Sequence, residues 1–162
     1  MSNTEKTLER NSIIPAVPHN VTLTILNETD TIMKLEGTWF DSGEIKEDSE
    51  LPAIIKSGDT PTIKFGVKKP HIAAGVSGYV QYKMKDQVVT IAFSNPSVGT
   101  NKVGIGISDK DGSSNKIWDK MSNHNYKKFN EQFNIASNYT ISAECLCTSG
   151  GNNTCYVDLI KK

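Results

Sequence analysis

Apolar and polar residues alternate with period two along most of the chain. Val21, Leu23 and Ile25 fall on one face of a run that opens near His19, and Ile63, Phe65 and Val67 on one face of another. Val80, Tyr82 and Met84 alternate with Gln81 and Lys83, and Val89, Ile91 and Phe93 with Thr90 and Ala92. The intervening Lys85-Asp86-Gln87 reads as a hairpin turn. Later runs group Val103, Ile105 and Ile107, then Tyr139, Ile141, Ala143 and Cys145, and last Cys155, Val157 and Leu159. Gly, Pro, Asn, Asp or Ser bounds each run, and these residues supply positive φ or side-chain turn hydrogen bonds. Beyond one frayed turn over Thr4–Arg10, no segment of helical length carries a 3.6-residue apolar stripe. The pattern predicts an all-β, antiparallel β-sandwich of about nine short strands. Val21, Leu23, Ile25, Ile63, Phe65, Val80, Tyr82, Ile91 and Phe93 are expected in its core. Met33, Leu35 and Trp39 are assigned to one inward face. Truncating Trp39 to alanine is then expected to cost about 3–5 kcal/mol by leaving a cavity.

The 162 residues are enough for one domain, expected over 13–162 behind a flexible tail at 1–12. No run approaches the ~18–20 apolar residues of a membrane span, and residues 1–11 lack the apolar core of a secretory leader. The expectation is a soluble protein, cytoplasmic or released without a classical signal and acting at a target-cell membrane. Net charge is zero and Arg10 is the sole arginine, which argues against a nucleic-acid partner and against a bidentate phosphate-reading cluster. Charge is nonetheless uneven. Five acids and one lysine stand between Asp41 and Glu50, and five lysines and two acids between Lys110 and Lys128.

Little in the chain points to catalysis. His19, His71 and His124 are scattered, and no nucleophile-elbow, zinc-protease, phosphate-loop or dinucleotide-binding motif is present. The protein is read as a non-enzyme without cofactor or metal. Cys145, Cys147 and Cys155 lie in one hairpin, with Cys147 opposite Cys155 if Ser149 to Asn153 form the loop. Reduced thiols, a Cys147–Cys155 disulfide and a metal site completed by His124 are all open. The odd count and the missing leader favour thiols. Gly99, in the loop Asn95–Asn101, is expected in a conformation that a Cβ disfavours.

One stretch carries more than the rest. Gly75-Val76-Ser77-Gly78 enters the first strand of the Lys85 hairpin, and Phe93-Ser94-Asn95-Pro96-Ser97-Val98-Gly99-Thr100-Asn101 leaves the second. That order resembles the aegerolysin family. Further similarity lies in His19–Thr29 as an opening strand, Lys34–Trp39 as a second strand bearing a tryptophan, and Ile55–Asp59 followed by Ile63–Phe65. Roughly 17–106 follow the family pattern, and the Phe93–Lys102 loop is most similar to subunits of bacterial binary insecticidal toxins. Ala74 stands where fungal members often carry a carboxylate that helps select the lipid, and Phe65-Gly66-Val67 replaces a Cys-Gly-Arg run. The resemblance implies an aegerolysin/actinoporin-like sandwich and a lipid-binding or receptor-binding role. The implied ligand is a sphingolipid-type membrane lipid or a cell-surface receptor, and the implied partner a second protein that forms the pore of a two-component cytolysin or insecticidal toxin. Two alternatives come with it: a non-lytic cytosolic interaction protein that forms homo- or heterodimers, and a lectin-like glycan binder.

Aromatic side chains with a polar edge suit a headgroup layer, which makes Trp118, Tyr126, Tyr79 and Trp39 the binding candidates. Tyr79 points away from Val80 and Tyr82 by alternation. Trp118 sits between Lys116 and Lys120, where neither alternation nor helical spacing gives it a buried face. The sequence therefore assigns Trp118 to binding and Trp39 chiefly to stability.

Overall fold

The computed structural model describes residues 19–68, 75–108, 114–122 and 128–162. The proposed tail and Tyr126 lie outside these residues. Within them the alternating runs become eleven strands: β1 (Asn20–Glu28), β2 (Met33–Ser42), β3 (Glu44–Ile45), β4 (Ile54–Ile55), β5 (Thr62–Gly66), β6 (Val76–Met84), β7 (Gln87–Asn95), β8 (Lys102–Ser108), β9 (Phe129–Ala136), β10 (Tyr139–Leu146) and β11 (Asn152–Lys161). Nine of them run five residues or more, and β6 and β7 reach nine each, longer than the short strands expected. One helix, α1 (Ser114–Ser122), follows β8.

The strands form a sandwich. One sheet has six strands in the order β3-β5-β1-β11-β10-β9, the other five in the order β4-β2-β6-β7-β8. Every pairing is antiparallel except β1 with β11, which run parallel with Leu23 beside Cys155. Alternation reports which face a residue takes and nothing about its partner strand, so this long-range pair was not foreseeable from the pattern.

All nine residues expected in the core are fully buried. Phe65 of the six-stranded sheet stacks on Phe93 of the five-stranded sheet, ring centroids 4.3 Å apart, and Phe40 leans on both. Each such side chain contributes about 1.5–3 kcal/mol by leaving water. The Lys85-Asp86 turn closes β6 and β7 as the pattern required, with Lys85 at φ 52°.

One end of the sandwich is bolted by asparagines. Asn95 Nδ2 donates to the carbonyls of Asn20 and Gly151, both at 2.9 Å. Asn101 Nδ2 donates to Thr148 O at 2.8 Å and Gly150 O at 2.9 Å. Asn153 Nδ2 spans from β11 to Ser94 O and Lys102 O. These amides satisfy backbone groups that a loop end would otherwise leave unpaired. Gly99 has φ 124°, the positive value expected of it. Gly75 and Gly78 have a different reason: an added Cβ would lie 2.6 Å from Asn95 O at the first and 2.2 Å from Trp39 O at the second. The Gly-x-x-Gly element thus lets neighbouring backbones close on β6.

Candidate functional site

Trp39 is not a core residue. Between Leu35, opposite Tyr82, and Gly37, opposite Gln81, β2 carries one extra residue, Glu36. This bulge reverses the alternation. Met33 and Leu35 still face inward, but beyond the bulge Phe40 packs on the core and Trp39 turns out, 44% exposed. The inward stripe read through Met33, Leu35 and Trp39 breaks at Glu36, and the expected core cavity on truncation falls with it.

Trp118 sits on α1, where no helix was expected. The nine-residue helix has a two-residue apolar stripe, Ile117 and Met121, four apart and both buried. It lies across the outer face of β7 and β8, with Ile117 and Met121 on Ala92. Room for it comes from Gly104 and Gly106, where a Cβ would stand 2.9 Å from Met121 Cβ and 2.2 Å from Ile117 Cδ1. Lys120 reaches Glu131 of β9 at 3.7 Å. Trp118 is half-buried and packs against the Ala92–Ile117–Met121 cluster, so it does have a buried face.

These two departures bring three of the four candidates together. Trp39 and Tyr79 are directly opposed on β2 and β6, and their rings stack with centroids 5.5 Å apart at 28°. The Trp118 ring meets Trp39 edge-on, 6.2 Å away at 82°. Tyr79 also packs beside the helix and is half-buried. The result is a continuous aromatic surface on the outer face of the five-stranded sheet, flanked on α1 by the exposed Lys116 and Lys120. Tyr126 lies outside the described residues.

A second concave feature lies at the asparagine-bolted end. His19, Asn95, Ser97, Thr100, Asn101 and Ser149 line a shallow cleft of about 340 Å³. His19 Nδ1 lies 2.9 Å from Asn95 Oδ1.

The titrating groups shifted by their surroundings have structural roles. Burial pushes the thiols of Cys145 and Cys155 upward, away from thiolate character. All three cysteines are free and buried, so the open disulfide reading is not realised: Cys147 and Cys155 are unbonded, and Cys147 Sγ donates to Asn101 O at 3.7 Å. Burial likewise raises the Tyr82 hydroxyl, which donates to Pro52 O at 2.7 Å. The hydrogen bond from Tyr139, then that from Lys161, holds Asp30 below the usual carboxylate range and ties β10 and β11 to the turn after β1. Among the described residues no cluster of His, Cys, Asp and Glu is placed to hold a metal, and no helix is long and apolar enough to cross a membrane.

No family model matches the chain, and no curated protein matches it in sequence. Solved structures do match in shape. The lipid-binding protein Nakanori superposes with a TM-score of 0.70 over 98% of this chain and 78% of its own, at 14% identity. The lectin XCL of Xerocomus chrysenteron gives 0.50 over 88% of this chain and 99% of its own, at 11% identity. At such identities the likeness extends to the two-sheet sandwich and no further.

Proposed function

We propose that the protein is a non-enzymatic membrane-binding module that docks through Trp39, Tyr79 and Trp118. The observation that carries this is the aromatic surface itself, in which Trp39 is exposed and Tyr79 and Trp118 are half-buried. Three large rings share one patch where a soluble sheet face ordinarily carries polar residues, and their indole N–H and phenol O–H edges suit the headgroup layer. The family resemblance of the Gly75–Asn101 region and the fold shared with a lipid-binding protein support the same reading. The ligand is a sphingolipid-type lipid or a receptor presented at the membrane surface.

The same reading makes this chain the binding half of a two-component cytolysin. A membrane hairpin needs about 9–11 residues per strand, which β6 and β7 just reach. Strand length therefore does not exclude insertion. Position opposes it instead: β6 and β7 are paired on both sides and hold Val80, Tyr82, Ile91 and Phe93 in the core. Extracting them would dismantle the sandwich, so a partner supplies the pore. Co-sedimentation with vesicles of varied headgroup, run beside dye release, tests both parts. Binding without release is expected. Release by this chain alone at binding concentrations would refute the division of labour, and failure to bind any vesicle or cell surface would refute the reading.

A further inference from the structure

We propose that the cleft at the asparagine-bolted end is a second binding site, separate from the aromatic surface, and that it takes a neutral sugar unit. Hydrogen-bond polarity fixes which atoms of the cleft can accept. Asn95 donates both Nδ2 hydrogens to the carbonyls of Asn20 and Gly151, which fixes the amide orientation and leaves Oδ1 toward His19. Oδ1 can only accept, so His19 Nδ1 must be the donor. In the neutral ring Nε2 is then an acceptor, and it has no partner among the described residues.

Asn101 is set in the same way. Its Nδ2 is committed to Thr148 O and Gly150 O, while its Oδ1 has no partner among the described residues. The hydroxyls of Ser97, Thr100 and Ser149 complete the lining, each able to donate and to accept. Gly99 and Gly150, at φ 124° and 97°, leave bare backbone at the rim, and the Pro96 ring adds an apolar flank.

The composition of this wall selects the ligand. No Lys, Arg, Asp or Glu stands among the described residues that line it, which leaves the His19 ring as the one group there able to meet a phosphate or carboxylate with charge. Fixed acceptors interleaved with adaptable hydroxyls match a ring of vicinal hydroxyls, which donate and accept in turn. A volume of about 340 Å³ sits at the small end of ligand clefts, roughly 300–1,000 Å³, and suits one or two sugar units. The two buried asparagines hold the wall rigid, since each is bonded to backbone on another segment.

An amide-resonance NMR titration of the full chain with a panel of neutral mono- and disaccharides tests this, with inorganic phosphate as the charged control. At least one sugar should shift resonances at 19, 95–101 and 149–151, saturating in the millimolar range. Ser149→Trp and Ser97→Trp, each of which fills the cleft from an accessible hydroxyl position, should weaken that sugar by about tenfold or more, through exclusion and lost hydrogen bonds. Their undisturbed spectra elsewhere will show that they fold. Trp39→Ala should titrate as the unaltered chain does. The proposal is overturned if no sugar moves these resonances, if shifts fall on the aromatic surface instead, if phosphate acts where sugars do not, or if both folded tryptophan variants bind unchanged.

Discussion

The two outer faces of the sandwich are built from the same alternating strands and present opposite chemistries. The five-stranded face carries α1 and the Trp39–Tyr79–Trp118 surface. On the six-stranded face, Glu144 is directly opposed to Asp158, and Glu28 lies close enough to disfavour charge on Asp158. Its exposed apolar side chains, Tyr156 at 43%, Ile160 at 40% and Leu146 at 37%, flank these carboxylates, and Lys128 pairs with Glu144 at 2.9 Å. An aromatic patch survives contact with lipid because its rings lose only water. A face of carboxylates resists it, because each acid must shed its hydration or meet anionic headgroups. On the proposed reading, what each strand sets outward decides which face binds, and sheet membership does not.

The harshest way to break the contrast is to remove the support beneath the aromatic face. At Gly78 an added Cβ would stand 2.2 Å from the Trp39 carbonyl oxygen, a backbone atom that cannot swing aside. Gly78→Val should therefore cost about 3 kcal/mol or more, the upper end for overpacking, and abolish binding with it. Thermal unfolding checks this, and a melting temperature within a degree or two of the parent would show that β2 yields more easily than its pairing implies.

Substitutions within each face should separate binding from stability. Trp39→Ala and Trp118→Ala should each weaken vesicle association by about tenfold or more, as aromatic anchors do, while Tyr156→Ser should leave it unchanged. Their stability costs reverse the ranking read from the sequence. Trp39 forfeits its stacking, no more than about 1.5 kcal/mol beyond area burial, whereas Trp118 also loosens the seat of α1 and should melt earlier. Equal binding losses for Tyr156→Ser and Trp39→Ala in co-sedimentation would dissolve the distinction between faces.

That reversal marks where sequence reading ran out. The core was legible because its strands keep strict alternation from turn to turn, as in Val21–Ile25 and Val80–Met84. Trp39 was misplaced because a single extra residue, Glu36, flips the phase, and only Gly37 inside a strand pattern hinted at a bulge. Helix α1 was missed because two apolar residues four apart are too few to register as a period. The better signal lay in another strand: Gly104 and Gly106 on the outward face of β8 leave a groove that something must fill. Residue type named the four candidates, but the clustering of Trp39, Tyr79 and Trp118 depends on the bulge and the helix together.

The smallest effect belongs to the carboxylate face. Burial first, then Glu28 and Glu144, raises the Asp158 carboxyl above its ordinary value of 3.8. A raised acid is easier to keep folded when protonated, so its contribution to stability is fully present below about that value and is lost as pH climbs through the folded pKa. Asp158→Asn should accordingly raise the melting temperature slightly at neutral pH, and the gap should close as pH falls toward 4. A gap that widens in acid would mean the carboxylate is stabilised, not strained.

The central claim, that the aromatic surface enters the membrane interface, has a direct optical test. The chain has two tryptophans, and both stand in that surface. Tryptophan emission, excited selectively over the five tyrosines, therefore reports on that surface alone. With vesicles that the protein binds, the emission should shift to the blue, lose sensitivity to aqueous iodide and be quenched by lipids carrying a nitroxide near the headgroup. Binding that leaves both tryptophans in water, with unshifted emission and full iodide quenching, would place the membrane contact elsewhere and contradict the account.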